Sequence, residues 1–313
     1  MIIFDTETTS LDFTTGNICQ LSYIKVSNYE EPFKIQCAKN FFFTVDYVEE
    51  GAQRVHGFSV DKLRELSGCK RFKDFADEIY NDFVCQDLLC GHNVSFDINF
   101  LIEEFDKAGY AAGNFLYKKR FCTMQEYTDI LCLDWNDYYG SYKWPKLSEV
   151  VSYLNLDKKY LEDKTKEVFG LDENVDFHDA RLDVVTTREI AKIYYELCDG
   201  LSFKDSYHLK FYFDNMIRLP KDSYYKSLIY TLGINEVCRY HFDEIFDMEN
   251  RCINPSCLQG NPWMTGSSRR NIIIAFDLFN GFKPEERESL TYLLGYSGED
   301  TKYYIEALKL RFL

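Results

Sequence analysis

Two acids, Asp5 and Glu7, stand two residues apart behind the apolar run Ile2-Ile3-Phe4. On a strand, that spacing sends both side chains out of one face of a sheet. Neighbouring carboxylates repel and raise each other's pKa unless cations lie between them. Mg²⁺ or Mn²⁺ suits such oxygen ligands and keeps positions open for water and phosphate. Two later segments extend the set: Gly91-His92-Asn93-Val94-Ser95-Phe96-Asp97 and His178-Asp179-Ala180-Arg181-Leu182-Asp183. Together the three supply four carboxylates, Asp5, Glu7, Asp97 and Asp183, and one histidine. Those are the parts of a two-metal centre for phosphodiester hydrolysis.

Each segment also has a plainer reading. Two acids at a strand end can be solvated, but the apolar run before them points to an interior strand, where unpaired acids are scarce. Asp97 opens a helix, where a negative charge suits the macrodipole, and His92 and Asn93 can simply shape the preceding turn. His178 and Asp183 are five residues apart, about 140° around a helix. His178 therefore belongs to the preceding loop, with Asp179 as N-cap. Asp183 then faces the acids of the sheet, and a neutral His178 can accept a proton from a metal-bound water. Alone, His178 would be read as a surface or capping residue, and capping suffices to explain Asp179.

These side chains need a scaffold. Strands are expected at 2–5, 18–26 and 33–45, the third antiparallel in a meander. Residues 48–66, around His56-Gly57, read as helix, turn and helix, and Phe72, Phe75, Ile79 and Phe83 have helical spacing. A short strand at 88–90 leads to a helix from about Ser95 to Lys107, with further helices at 123–132, 146–156 and 179–198. Strands first, then strands alternating with helices, indicate an α/β fold: a mixed sheet with helices on both sides. A boundary is expected near Asp199-Gly200, giving an N-terminal domain over 1–199 and a C-terminal one over 200–313.

In the C-terminal part, Phe203, Tyr207, Phe211, Tyr212 and Ile217 have helical spacing. Ser267-Ser268-Arg269-Arg270 reads as a basic loop, open either to phosphates or to solvent. Residues 272–276 read as a strand, and 284–294 and 301–312 as helices, so this part is mainly helical. Cys238, His241, Cys252 and Cys257 could supply a structural zinc site, although reduced, partly buried thiols are the favoured reading because the spacing is only near a known pattern.

The chain has 313 residues and a formal net charge of −15, which argues against a broad basic face for duplex DNA. Lys and Arg number 22 against 36 Asp and Glu in residues 1–200, and 14 against 15 beyond, so the acid excess lies with the motifs. Most of the 26 Phe and 24 Tyr should fill cores, leaving a few to stack on bases. Eleven Cys without framework spacing suggest reduced thiols and a cytoplasmic location. Asp5 lies too near the start for a cleaved leader, and no apolar run is long enough to span a bilayer.

The three segments resemble those of the DnaQ-like 3′→5′ exonucleases with the DEDD signature, in the histidine subtype of the RNase H-like superfamily. Asp5-Thr6-Glu7-Thr8-Thr9 matches the first motif, His92 through Asp97 the second, and His178 through Asp183 the third. Val55-His56-Gly57-Phe58, Cys122-Thr123-Met124 and Lys146-Leu147-Ser148-Glu149-Val150 are weaker family-like stretches. The resemblance spans about residues 1–198. It implies an RNase H-like mixed five-stranded sheet flanked by helices, and two Mg²⁺ or Mn²⁺ ions. Asp5 would bridge both ions, Glu7 and Asp183 would complete the nucleophile side, Asp97 would hold the leaving-group ion, and His178 would be the general base. Substrate contacts would come from Thr8 and Thr9, His92, Asn93 and Phe96, with Leu11 as the wedge against the terminal base. Ser10 departs from the family's usual glycine.

The implied activity is removal of nucleoside 5′-monophosphates from single-stranded 3′ ends, of DNA first and of RNA or short oligonucleotides as the alternative. A binding or scaffold protein with a relict nuclease fold is the rival of another class, opposed by the complete ligand set. No clamp-binding peptide is recognisable after the motifs, which weighs against proofreading relative to repair or trimming roles.

Overall fold

The computed structural model describes residues 1–27, 33–172, 178–285, 289–295 and 297–313. The chain divides into two compact units, Met1–Thr128 with Leu133–Ile193, and Asp129–Cys132 with Tyr194–Leu313.

In chain order the first part holds β1 (Ile2–Thr8), β2 (Ile18–Val26), β3 (Ile35–Phe42), α1 (Glu50–His56), α2 (Val60–Leu66), α3 (Ala76–Val84), β4 (Leu88–Gly91), α4 (Val94–Lys107) and β5 (Lys119–Cys122). There follow α5 (Thr123–Glu126), α6 (Thr128–Leu131), β6 (Trp135–Asn136), β7 (Ser141–Tyr142), α7 (Leu147–Tyr153), α8 (Lys158–Phe169) and α9 (Ala180–Cys198). The main sheet has five strands in the order β3-β2-β1-β4-β5. β1 pairs antiparallel with β2 and parallel with β4, so it is the central strand. That position explains its buried apolar start, since an interior strand has both faces covered.

The sheet and α4 share one core. Phe4 meets the edge of Phe83 at a centroid distance of 5.0 Å. On α4, Val94, Ile98, Leu101 and Phe105 recur at helical spacing and join that cluster. Gly91 ends β4 where a side chain would be crowded: a Cβ there would lie 3.1 Å from the Phe4 carbonyl oxygen. Gly57 ends α1 in the left-handed region at φ +74°, which separates α1 from α2.

The second unit is built on α10 (Ser206–Met216), α11 (Ser223–Ile234), α12 (Glu236–Tyr240), α13 (Phe242–Ile245), α14 (Gly266–Asn280), α15 (Leu290–Gly295) and α16 (Thr301–Phe312), with a hairpin of β8 (Phe246–Asp247) and β9 (Cys252–Ile253). Every residue of α11 from Ser227 to Ile234 is buried. A helix apolar all round belongs at the centre of a bundle, and α10, α14 and α16 pack around it.

Several expectations need correction. Residues 272–276 are helical, within α14, and Ser267–Arg270 form its first turns rather than a loop. Thr265 caps that helix by accepting from the Ser268 N–H, and Gly281 ends it. The run Ile272–Phe276 mimics a strand because a fully buried helix loses its polar face. Residues 281–285 are not helical, and the part of the expected helix over 286–288 lies outside the described residues. The helix expected over 123–132 is two short ones, α5 and α6. β5, the β6–β7 hairpin and α8 were not anticipated.

Among the described residues no helix is long and apolar enough to cross a membrane.

Candidate active site

The carboxylates sit where strands end. β1 runs to Thr8, with a register shift between Glu7 and Thr8 that breaks the regular pairing beside the acids. β4, parallel to β1, ends at Gly91 and passes through Asn93, in the left-handed region at φ 69°, into α4. The carboxyl ends of parallel strands open a crevice, and α4 brings Asp97 into it on its first turn. Asp97 is buried, and its Oδ1 accepts from the Thr6 N–H at 3.0 Å and the Thr6 hydroxyl at 2.6 Å. Two side chains 91 residues apart in sequence are thereby locked together.

The third segment arrives from α9. His178 precedes that helix in a left-handed conformation at φ 67° and is exposed. Asp179 caps α9, accepting from the Arg181 N–H at 3.0 Å. Arg181 also grips Asp179 with two guanidinium bonds of 2.8 and 2.6 Å and lies over the Phe42 ring. Gln20 on β2 is fully buried and holds the same point: its amide donates to Asp179 at 2.9 Å, and its carbonyl accepts from the Ala180 N–H at 3.2 Å. The result places one ligand atom each from Glu7, His178 and Asp183 within 4.8 Å of one another.

Electrostatics then define what the site lacks. Burial first, and then the charges of Asp97, Asp183 and Glu7, hold Asp5 well above the usual carboxylate range. Burial, and then the charges of Asp183, Asp97 and Asp179, push Glu7 up to about 9. Burial pushes Asp97 and Asp183 up to about 7. Among the described residues no Lys or Arg pairs with Asp5, Glu7 or Asp183. Four half-compensated acids with a histidine beside them form an oxygen-rich set that fits hard divalent cations. Glu7 and Asp183 would hold one ion with His178 beside it, and Asp5 and Asp97 adjoin them.

The surroundings are ordered by internal bonds. Thr9 donates its N–H to the Asn17 carbonyl and accepts the Asn17 N–H at its hydroxyl, both at 2.9 Å, closing the loop after β1. Glu104 on α4 ties Asn17 down at 2.7 Å. Leu11 projects from that loop with 85% of its surface exposed. Ser10 turns inward and donates to the Asp12 carbonyl, so the loop accommodates the departure from glycine. The Thr8 hydroxyl donates to the Ser10 carbonyl. Thr8, Leu11 and Phe96 line a cleft of about 380 Å³ together with Thr6, Glu7 and His56.

Other expected contacts fall elsewhere. His92 has both ring nitrogens engaged at 3.0 Å, one with the Thr123 hydroxyl and the other with the Pro145 carbonyl, and burial lowers its pKa to about 4. It therefore ties three segments together and has no ring nitrogen left for substrate. Asn93 is exposed in the turn, and the Thr9 N–H is used within its loop. His56 carried no assigned role in the sequence. Its Nδ1 accepts from the Phe58 N–H at 3.0 Å, leaving Nε2 to donate to the Thr8 carbonyl at 3.3 Å, so it braces the end of β1 as a neutral ring. The His-Gly pair was the visible signal, but its partner on β1 was not. Gln20 had no signal at all, being one polar residue in a strand.

Among the described residues Cys238, His241, Cys252 and Cys257 are not gathered as one metal-holding group. Cys238 is buried against Asn271 and Ser268, His241 bonds Glu244 at 2.8 Å and stacks on Trp263, Cys252 is exposed on β9, and Cys257 is buried. Among the described residues the one group able to hold a metal ion is Glu7, His178 and Asp183.

Gln20→Ala should lower kcat/KM about 10- to 100-fold, the scale of losing a support behind a metal ligand. Steady-state kinetics checks this, and an unchanged kcat/KM would remove Gln20 from the site's support.

Two parts of the chain match known protein families. Residues 2–125 match a family model described as exonuclease, and residues 199–313 match a family of unknown function (DUF6075). The DNA polymerase III subunit epsilon of Buchnera aphidicola subsp. Acyrthosiphon pisum is 31% identical over 108 residues, which is 34% of this chain and 44% of that protein. Escherichia coli exonuclease I in complex with a dT13 oligonucleotide aligns at 19% identity with a TM-score of 0.46, over 62% of this chain and 40% of that one. Its complex with dA16 gives 19% identity and a TM-score of 0.45 over the same shares. This chain thus spans less than half the length of each of these proteins. Residues 2–125, the part that matches the exonuclease family model, supply Asp5, Glu7 and Asp97.

Proposed function

We propose that the chain is a metal-dependent 3′→5′ exonuclease that removes nucleoside 5′-monophosphates from single-stranded ends, of DNA in the first instance. The observation that carries this is the convergence of Glu7, His178 and Asp183 within 4.8 Å beside Asp5 and Asp97. Divalent cations bound there supply Lewis-acid charge and an activated water. The chain's own residues do the rest. Glu7, Asp5, Asp97 and Asp183 fix where the cations lie, and the Thr6–Asp97 bonds keep that geometry from relaxing. His178, exposed at the edge of the group, accepts the proton lost by the attacking water. Leu11 wedges against the terminal base from its closed loop, which restricts cutting to an end.

DNA is favoured over RNA because a relative of the N-terminal part is a DNA polymerase subunit. Eleven free thiols support a reducing, cytoplasmic setting. Residues 1–199 would form the nuclease domain and 200–313 a separate one.

Matched single-stranded DNA and RNA of one sequence, incubated with Mn²⁺, test the reading. DNA should be shortened faster, with 5′-monophosphates as products. Faster RNA loss would transfer the same chemistry to an exoribonuclease, and two intact strands would refute the enzyme. His178→Ala should lower kcat by about 10²-fold or more, and an unchanged kcat would remove it as base.

A further inference from the structure

The β6–β7 hairpin turns its aromatic side chains outward. Trp135 is 54% exposed, Tyr138 87%, Tyr139 74% and Trp144 59%, although the same unit packs more than a dozen aromatics into its core. Large rings clustered in water mark a contact surface. The cluster is also held in place. Asn136 Oδ1 accepts from the N–H groups of Tyr138 and Tyr139, at 3.0 and 3.2 Å, and Lys143 N–H donates to the Asp134 carbonyl at 2.8 Å. Trp135 meets Tyr142 edge to face at 5.0 Å, and Tyr138 meets Tyr139 at 4.9 Å and 89°. Tyr139, Tyr142 and Trp144 line a largely apolar groove of about 670 Å³.

The hairpin is anchored to the active site. Trp144 adjoins Pro145, whose carbonyl is bound by His92 at 3.0 Å, and His92 opens the turn that delivers Asp97. The exposed Arg120 reaches the same turn, donating to the Ser95 hydroxyl on the first turn of α4 at 3.1 Å. Exposed Lys146 lies two residues beyond Trp144, while Lys143 on its other side is paired with Glu149 at 2.6 Å. Rings for base faces and cations for the backbone are the two halves of a single-strand surface. That combination, joined to the turn before Asp97 through the bond between His92 and the Pro145 carbonyl, favours a nucleic-acid strand over a protein partner.

We propose that the β6–β7 hairpin is a stacking platform for unpaired bases of the strand whose 3′ end enters the carboxylate site. This rests on the exonuclease reading and deepens it. A duplex hides its base faces, so the platform selects single strands; it is also indifferent to sequence, because every base has a π-face.

The test uses the full chain and two 12-nucleotide strands, one normal and one abasic except at its two 3′-terminal positions. Trp144→Ala should raise KM for the normal strand about 5- to 150-fold, the value of one stacked base. It should leave kcat, and both constants for the abasic strand, unchanged, while Trp144→Phe keeps most of the affinity. An unchanged KM for the normal strand overturns the proposal, as does an equal loss on both strands. If wild type cuts neither strand, it is the exonuclease reading that fails. Tryptophan fluorescence still reads the platform in that case: quenching by the normal strand alone supports it, and equal quenching or none overturns it.

Discussion

Asp183→Asn should lower the rate of phosphodiester hydrolysis by about 10³-fold or more, the scale of losing a buried electrostatic group. In the same variant without metal at pH 8, the N-terminal unit should melt a few degrees higher than wild type. The two effects have one cause. Asp183 is an acid in a nest of acids: it raises the pKa of Asp5 and Glu7, and burial pushes its own to about 7. At pH 8 its charge is present and unpaired, so an isosteric amide removes repulsion from the folded state. Relief of about 1 kcal/mol corresponds to a shift of roughly 2–4 °C in a unit of this size. Activity assays and thermal melts of one preparation check both. A less stable variant that is also inactive would instead mark Asp183 as a structural residue.

The second large effect is a pH dependence of metal stabilisation. Folding raises the pKa of Glu7 to about 9 and of Asp97 and Asp183 to about 7, from ordinary carboxylate values near 4. Where the folded pKa is raised, the folded state holds its protons more tightly than the unfolded one. That contribution is fully present below about pH 4 and is lost as pH rises through about 7 and on toward 9. Cations bind the ionised acids and oppose the loss. Thermal melts with and without millimolar Mn²⁺ should therefore diverge with pH, the gain being small at pH 5 and larger at pH 8.5. Asp97→Asn should narrow that gap. A metal gain independent of pH would mean that the ions bind outside the carboxylate group.

How far the sequence shows this depends on the distance over which each signal acts. Asp5 and Glu7 were legible because two-residue spacing on an apolar strand is local, and the central position of β1 follows from Ile2-Ile3-Phe4. His178 could be placed outside α9 because five residues do not bring two side chains onto one helical face. Gln20, His56 and Thr6 were invisible as supports, since their partners Asp179, Thr8 and Asp97 become neighbours only through tertiary packing. His92 looked like a substrate contact until Thr123 and Pro145 took both of its nitrogens. The α14 segment deceived for a different reason: burial on all sides erased the polar positions that separate a helix from a strand. The β6–β7 hairpin was missed because its strands are two residues each, too short to show alternation.

The central claim is that Asp5, Glu7, Asp97, His178 and Asp183 act together as a metal-dependent centre working from a 3′ end. A single-stranded DNA oligonucleotide labelled at its 5′ end, incubated with the chain and Mn²⁺, tests it most directly. A ladder of labelled products shortening one nucleotide at a time, abolished by EDTA, is expected. Intact substrate, release of the label as a mononucleotide at the first time point, or cutting that persists in EDTA would contradict it.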